Sequence, residues 1–179
     1  MKRASLILML ILSVVSCGKE EVPLRGTVTL SSKILPSDLS FYAVGFNFTT
    51  ARFSRTDQTP FPQIVLRADT DVSGLITAVS FNGDTGFAYS PFALEGSYGT
   101  AAEASAAFNA LNDIDPSDYV WSEMGRPVTV NQVWLFSTRD ERYARMRILA
   151  VSEIYSEDAP YAECRFEWVF QPDGSTSFP

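Results

Sequence analysis

Two patterns of apolar residues divide the chain. Residues Ala4 to Val15 form one apolar run, and from Val22 onward the dominant period is two. Tyr42, Val44, Phe46 and Phe48 alternate with Ala43, Gly45 and Asn47, as the side chains of a half-buried strand must. Ile64-Val65-Leu66 and Leu75 to Phe81 predict two further strands, with Asp69-Thr70-Asp71-Val72-Ser73-Gly74 as the turn between them. Val133 to Thr138 and Tyr143 to Val151 flank Arg139-Asp140-Glu141-Arg142, a hairpin with a four-residue loop. The clearest strand is the last. Ala162, Cys164, Phe166, Trp168 and Phe170 share one face and Glu163, Arg165 and Glu167 take the other, before a Gln171-Pro172-Asp173-Gly174 turn. One segment breaks the period. Thr100-Ala101-Ala102-Glu103 has the form of a capping box and opens a helix over about 101–111, with Ala101, Ala104, Phe108 and Leu111 on one stripe. The pattern predicts a mainly β protein, an antiparallel sandwich or partly closed barrel with one short helix. Trp121, Trp134 and Trp168 are expected in its core.

The apolar run follows Lys2-Arg3 and is shorter than the roughly 18 residues that call for a membrane span. It reads as a secretory signal occupying residues 1–16. Val14-Val15-Ser16-Cys17 resembles the lipobox of bacterial lipoproteins, in which the peptidase cuts before a cysteine that already carries diacylglycerol. The resemblance implies lipid attachment at Cys17, a tether over residues 17–21 and a single all-β domain over 22–179. Gly18-Lys19-Glu20-Glu21 resembles the signal that sends some lipoproteins to the outer face of the outer membrane, and is equally readable as a solvated linker. With Cys17 acylated, Cys164 has no partner and an intramolecular disulfide is excluded. The leader removes Lys2 and Arg3 and no acid, leaving twelve basic residues against 21 acidic, a formal charge of −9. That balance disfavours nucleic acid as a partner and suits a body held off an anionic membrane.

The C-terminal stretch carries a second resemblance. Asn131-Gln132-Val133-Trp134-Leu135-Phe136-Ser137-Thr138-Arg139-Asp140, Tyr143-Ala144-Arg145-Met146-Arg147-Ile148 and Phe166-Glu167-Trp168-Val169-Phe170-Gln171-Pro172-Asp173-Gly174 resemble the closing hairpin and last strand of HmuY-like haem-binding lipoproteins. The span is roughly 45 residues, about a quarter of the chain. The resemblance implies a surface-exposed lipoprotein that captures haem and passes it to an outer-membrane receptor. The family's founding pattern holds haem iron between two histidines, and other members use methionine. This chain has no histidine. After processing, its thioethers are Met124, in what reads as a loop, and Met146, on the Ala144, Met146, Ile148, Ala150 face of a strand. Met124 is therefore the candidate haem ligand and Met146 a core residue.

Other candidates have structural readings beside them. Asp69 to Gly74 has the acids and glycine that open a calcium loop, but Ser80 stands where the bidentate carboxylate belongs, which favours a plain turn and no metal site. Cys164 shares a face with Phe166 and Trp168 and reads as an inert thiol. Tyr89, Phe92, Tyr98 and Tyr119 either line a cleft or pack beneath loops. With no histidine, phosphate loop or nucleophile elbow, no catalytic residue is nominated and an enzyme is not expected. Two functions remain: a ligand-capture module, for haem or another planar molecule, beside an outer-membrane transporter, or a non-catalytic lipoprotein that binds protein partners.

Overall fold

Strand alternation sorts the large side chains toward the middle of the molecule. The computed structural model describes residues 21–38, 40–83 and 90–179. Strands β1 (Arg25–Ser31), β12 (Tyr161–Gln171), β11 (Tyr143–Ile154), β10 (Gln132–Ser137) and β8 (Phe92–Ser97) make one antiparallel sheet in that order. Strands β5 (Arg52–Arg55), β4 (Val44–Asn47), β6 (Ile64–Thr70), β7 (Ile76–Gly83) and β9 (Met124–Gly125) make the second. A small ribbon pairs β2 (Leu35–Pro36) with β3 (Phe41–Tyr42). The architecture is a sandwich, not a closed barrel.

The core between the sheets is aromatic. Phe48 is fully buried, with the rings of Phe136, Phe46, Trp168 and Phe170 at centroid distances of 5.1, 5.3, 5.7 and 6.2 Å. Each such pair contributes about 0.5–1.5 kcal/mol beyond the area it buries. All five residues assigned to the inner face of the last strand are buried between the sheets: Ala162, Cys164, Phe166, Trp168 and Phe170. Gly45 is required by close approach, because a Cβ there would stand 2.4 Å from the Ile64 carbonyl oxygen.

A bulge moves the inner face of β11. Ile148 pairs with Phe166 and Ala150 with Arg165, so Leu149 is the extra residue. Ala150, expected inside, is exposed, and Val151 takes its place against the core. The hairpin loop before β11 closes on the buried Thr138, whose hydroxyl accepts from the Arg142 N–H at 3.0 Å and donates to Asp140 at 2.6 Å.

The helix α1 (Ala101–Ala110) has the capping box read from the sequence. Thr100 accepts from the Glu103 N–H at 3.2 Å, and Glu103 accepts from the Thr100 N–H at 3.0 Å. It packs on β10 and β11 from outside the sandwich, burying Ala104 and Phe108 while Ala101 stays exposed. Beneath it lies a second core, in which Ala93, Phe108, Ile114, Val133, Leu135, Val169 and Phe178 come together. Trp121 packs at its margin, half-buried, and donates its indole N–H to the Pro116 carbonyl at 2.9 Å. Trp134 and Trp168 lie in the core between the sheets.

The Asp69–Gly74 segment closes β6 and β7 as a hairpin. Asp71 accepts from the Ser73 hydroxyl at 2.6 Å, the Ser73 N–H at 2.8 Å and the Leu75 N–H at 3.0 Å, while Gly74 adopts φ +84°. The Ser73 hydroxyl and then the Leu75 N–H hold the Asp71 carboxyl below the usual carboxylate range. A depressed carboxylate stabilises the fold above its unfolded value near about 3.9, and that contribution is lost as pH falls through the folded value. Asp71→Asn should therefore flatten the acid limb of stability, read as denaturation midpoints between about pH 4 and pH 2; an unchanged slope would remove Asp71 from the acid response.

Candidate functional site

The sequence candidates do not converge. Cys17, its lipobox and the Gly18 to Glu20 part of the tether lie outside the described residues, as does Tyr89. Met124 is not in a loop. It forms β9, opposite Asn82 of β7, while its neighbour Gly125 pairs with the buried Phe81. Partners in a ladder share a face, so Met124 and Asn82 point away from the core. Met146 lies in the other sheet, fully buried, between its ladder partners Trp134 and Trp168. The two thioethers thus belong to different sheets and face different environments, and they do not form an axial pair.

The remaining candidates are absorbed by packing. Phe92 is fully buried in the main core, on β8 rather than in a loop. Tyr98 and Tyr119 pack against the second core, where burial and then a hydrogen bond with Glu95 raise the Tyr119 pKa. Cys164 is fully buried and its thiol is pushed up to about 12 by desolvation, so little nucleophilic thiolate forms near neutral pH. Asp69 is ion-paired with Arg67 at 2.7 Å and Asp71 is spent on its turn. Among the described residues no three His, Cys, Asp or Glu side chains gather as metal ligands.

The residues that do gather lie at one end of the sandwich, and the sequence reading passed over them. Ser32 to Pro36, Ala68 and Thr70 of β6, and Asp158 to Tyr161 enclose a groove of ≈ 600 Å³. Lys33 crosses its edge, its ammonium 5.5 Å from the centre of the Tyr161 ring. Exposed apolar side chains stand on the segments that adjoin it. Ile34 borders the groove and Phe41 is paired with the next strand position, opposite Pro36. Val72 and Leu75 stand on the neighbouring β6–β7 turn, and Tyr155 reaches that turn by accepting from the Ile76 N–H at 3.3 Å. Such a set, spread over three chain segments, is a patch that sequence alternation cannot reveal, because each member sits at a strand end or turn.

The polarity of β1 sets where this groove sits. The strand enters at Arg25, a few residues after the tether, and leaves at Ser31 into the groove wall. Seven strand residues span about 24 Å. The groove is therefore at the end of the molecule remote from Glu21, the first described residue.

Two other surface grooves have different linings. One, of ≈ 540 Å³, is formed by Glu21 to Pro23, Thr50 to Ser54 and Pro60, at the end where the described chain begins. Another, of ≈ 460 Å³, runs between Thr77–Val79 and Pro127–Val130. Met124 lines none of the three. Among the described residues no helix is long and apolar enough to cross a membrane. No family model, curated protein or solved structure matches the chain.

Proposed function

We propose that this protein is an outer-membrane lipoprotein, anchored through Cys17 and facing the exterior, that captures an apolar or planar ligand and delivers it to an outer-membrane transporter. The observation that carries the reading is the groove lined by Ile34, Leu35, Pro36, Ala68, Pro160 and Tyr161, with the exposed Phe41 opposite Pro36 and the exposed Val72 just beyond Thr70. A concave, largely apolar site with one cation, Lys33, and one carboxylate, Asp158, in its wall suits a largely apolar molecule with a few polar groups. The apolar rim around it is a surface that a receptor covers when it takes the ligand. Capture needs no chemistry from the chain, in keeping with a sealed cysteine and no histidine.

Haem is the first ligand to test, because the C-terminal resemblance implies it. Its iron finds no pair of thioether ligands among the described residues, since Met146 is sealed and Met124 is not in the groove lining. Haem in this site is held by packing. Titration of the purified protein with oxidised and reduced haem, followed by the Soret band, is expected to show binding with little dependence on pH between about 5 and 8, where histidine would titrate. Ile34→Asp should weaken it at least tenfold with an unchanged melting temperature, and Met124→Ala should leave it intact. A loss confined to Met124→Ala and to reduced haem would move the site to β9. No binding in either oxidation state would retire haem.

A second reading, a lipoprotein that binds protein partners, is favoured by the outer edge of β1, which among the described residues has no strand paired to it. The Phe170 N–H donates to the Leu24 carbonyl and the Ser32 N–H to the Ala162 carbonyl. By strand alternation, Arg25, Thr27, Thr29 and Ser31 then turn their backbone groups away from β12 at the edge of the sheet. An extended partner strand fits such an edge. Co-purification of a stable partner that is lost on Thr29→Pro, with no small-molecule binding, would select this reading.

A further inference from the structure

We infer that the tether end of the sandwich rests on the membrane, with Val22, Phe53 and Phe61 inserted among the lipid headgroups. The inference relies on the proposed acylation of Cys17. Three residues separate Cys17 from Glu21, the first described position, and the four steps between them reach at most about 14 Å. The body cannot stand further from the bilayer than that. The surface that meets the lipid is then the one the chain enters, where Glu21, Val22 and Pro23 share a groove with Thr50 to Ser54 and Pro60.

This end carries the side chains that a headgroup layer accepts. Val22, Phe53 and Phe61 are 44 %, 52 % and 50 % exposed. Phe53 leans its ring on its ladder partner Phe46 at 5.6 Å, so the core fixes it at the open edge of the sandwich, on the lip of this groove. Phe61 is placed by its carbonyl, which accepts from the Asn47 amide at 3.5 Å, and Asn47 is the ladder partner of Arg52 beside Phe53. The Gln63 side chain ties the intervening turn, accepting from the Phe48 N–H at 2.8 Å. Isolated exposed phenylalanines are ordinary on a protein surface. Phe53 lines the groove that holds Glu21 to Pro23, and Phe61 directly follows Pro60 in its wall, so an anchored body presses that end against lipid. Aromatic insertion beside the acyl chains adds a second attachment and fixes the tilt, which in turn points the Ile34–Tyr161 groove outward.

The test uses the full chain purified from membranes and placed in vesicles of phosphatidylethanolamine and phosphatidylglycerol with brominated acyl chains. Phe53→Cys, Phe61→Cys and, at the far end, Phe41→Cys each receive an environment-sensitive thiol fluorophore. The buried Cys164 stays unlabelled, and the parent protein provides that control. Labels at 53 and 61 should emit at shorter wavelength and be quenched several-fold more by bromine than the label at 41. Intact mass establishes acylation of each sample. Equal quenching at all three positions in acylated protein overturns the membrane-resting face and leaves the lipoprotein assignment standing. An unmodified Cys17 overturns both. Two independent positions guard against a single variant that disturbs its own surroundings, and matching far-UV spectra show that each is folded.

Discussion

Trp168→Ala is expected to destabilise the protein by about 3–5 kcal/mol, the range for deleting a large aromatic from a packed core. Trp168 is 3 % exposed, and its ring lies 5.3 Å from Phe46 and 5.7 Å from Phe48, so it joins the inner faces of both sheets. The cavity left behind cannot collapse, because the surrounding rings belong to strands pinned by their own ladders. Trp168→Phe should cost much less. Its indole N–H is buried with no acceptor, so the smaller ring loses area while also removing an unsatisfied donor. The comparator is Arg165→Ala on the solvent side of the same strand, expected to fall within about 0.5 kcal/mol. Glu167 is a poorer control than the strand pattern suggests, because it is half-buried and ion-paired with Arg147. Urea denaturation midpoints of the variants check the result. Equal midpoints for Trp168→Ala and Arg165→Ala would mean that the two faces of β12 are reversed.

The second large effect is expected at Arg145. Alternation along β11 places it on the outward face, where an arginine ordinarily meets water. Instead it is 6 % exposed beneath α1. Its guanidinium donates to the Phe108 carbonyl at 2.8 Å and to the Leu111 carbonyl, two of the groups that a helix leaves unpaired at its C-terminus. The rings of Phe108 and Phe178 lie 4.9 and 5.2 Å from its central carbon. Burial draws its pKa below the ordinary arginine value, Arg25 adding to the effect and Glu167 opposing it. Arg145→Met keeps much of the stem's volume and leaves both carbonyls without a donor, at about 1–3 kcal/mol each, so a loss of about 2–5 kcal/mol is expected. Arg145→Lys should recover part of it, since an ammonium supplies charge but not the planar fork. Hydrogen exchange of α1 should rise more than that of β12 in the methionine variant. A uniform rise across both elements would show that the contact does not secure the helix in particular.

These two residues mark the boundary between what is local and what is not. The inner face of β12, the capping box of α1, the Asp69–Gly74 turn and the Arg139–Arg142 hairpin were all legible, because each depends on the order of residues within about ten positions. The mainly β fold with its one helix follows from those pieces. Alternation also placed Met146, Cys164 and Trp134 inside, since a regular strand in a two-faced sheet leaves no other position for them.

What the sequence by itself determined, then, was the mainly β class, the strands β4, β6, β7, β10, β11 and β12, the faces of the regular ones and the one helix. Only the tertiary structure decided the rest. The outer face of the first sheet became a second core because α1 and the C-terminal segment returned to cover it, which no period within β10 or β11 encodes. A single inserted residue, Leu149, exchanged Ala150 for Val151, and Met124 turned from a loop ligand into the edge of a sheet by pairing with Asn82. The groove at the far end combines Ser32 to Pro36 with β6 and the loop before β12, segments brought together by pairing across more than a hundred residues. Pairing of that range is set by the joint fit of two sheets over a shared core, so it exists only once the whole chain has folded.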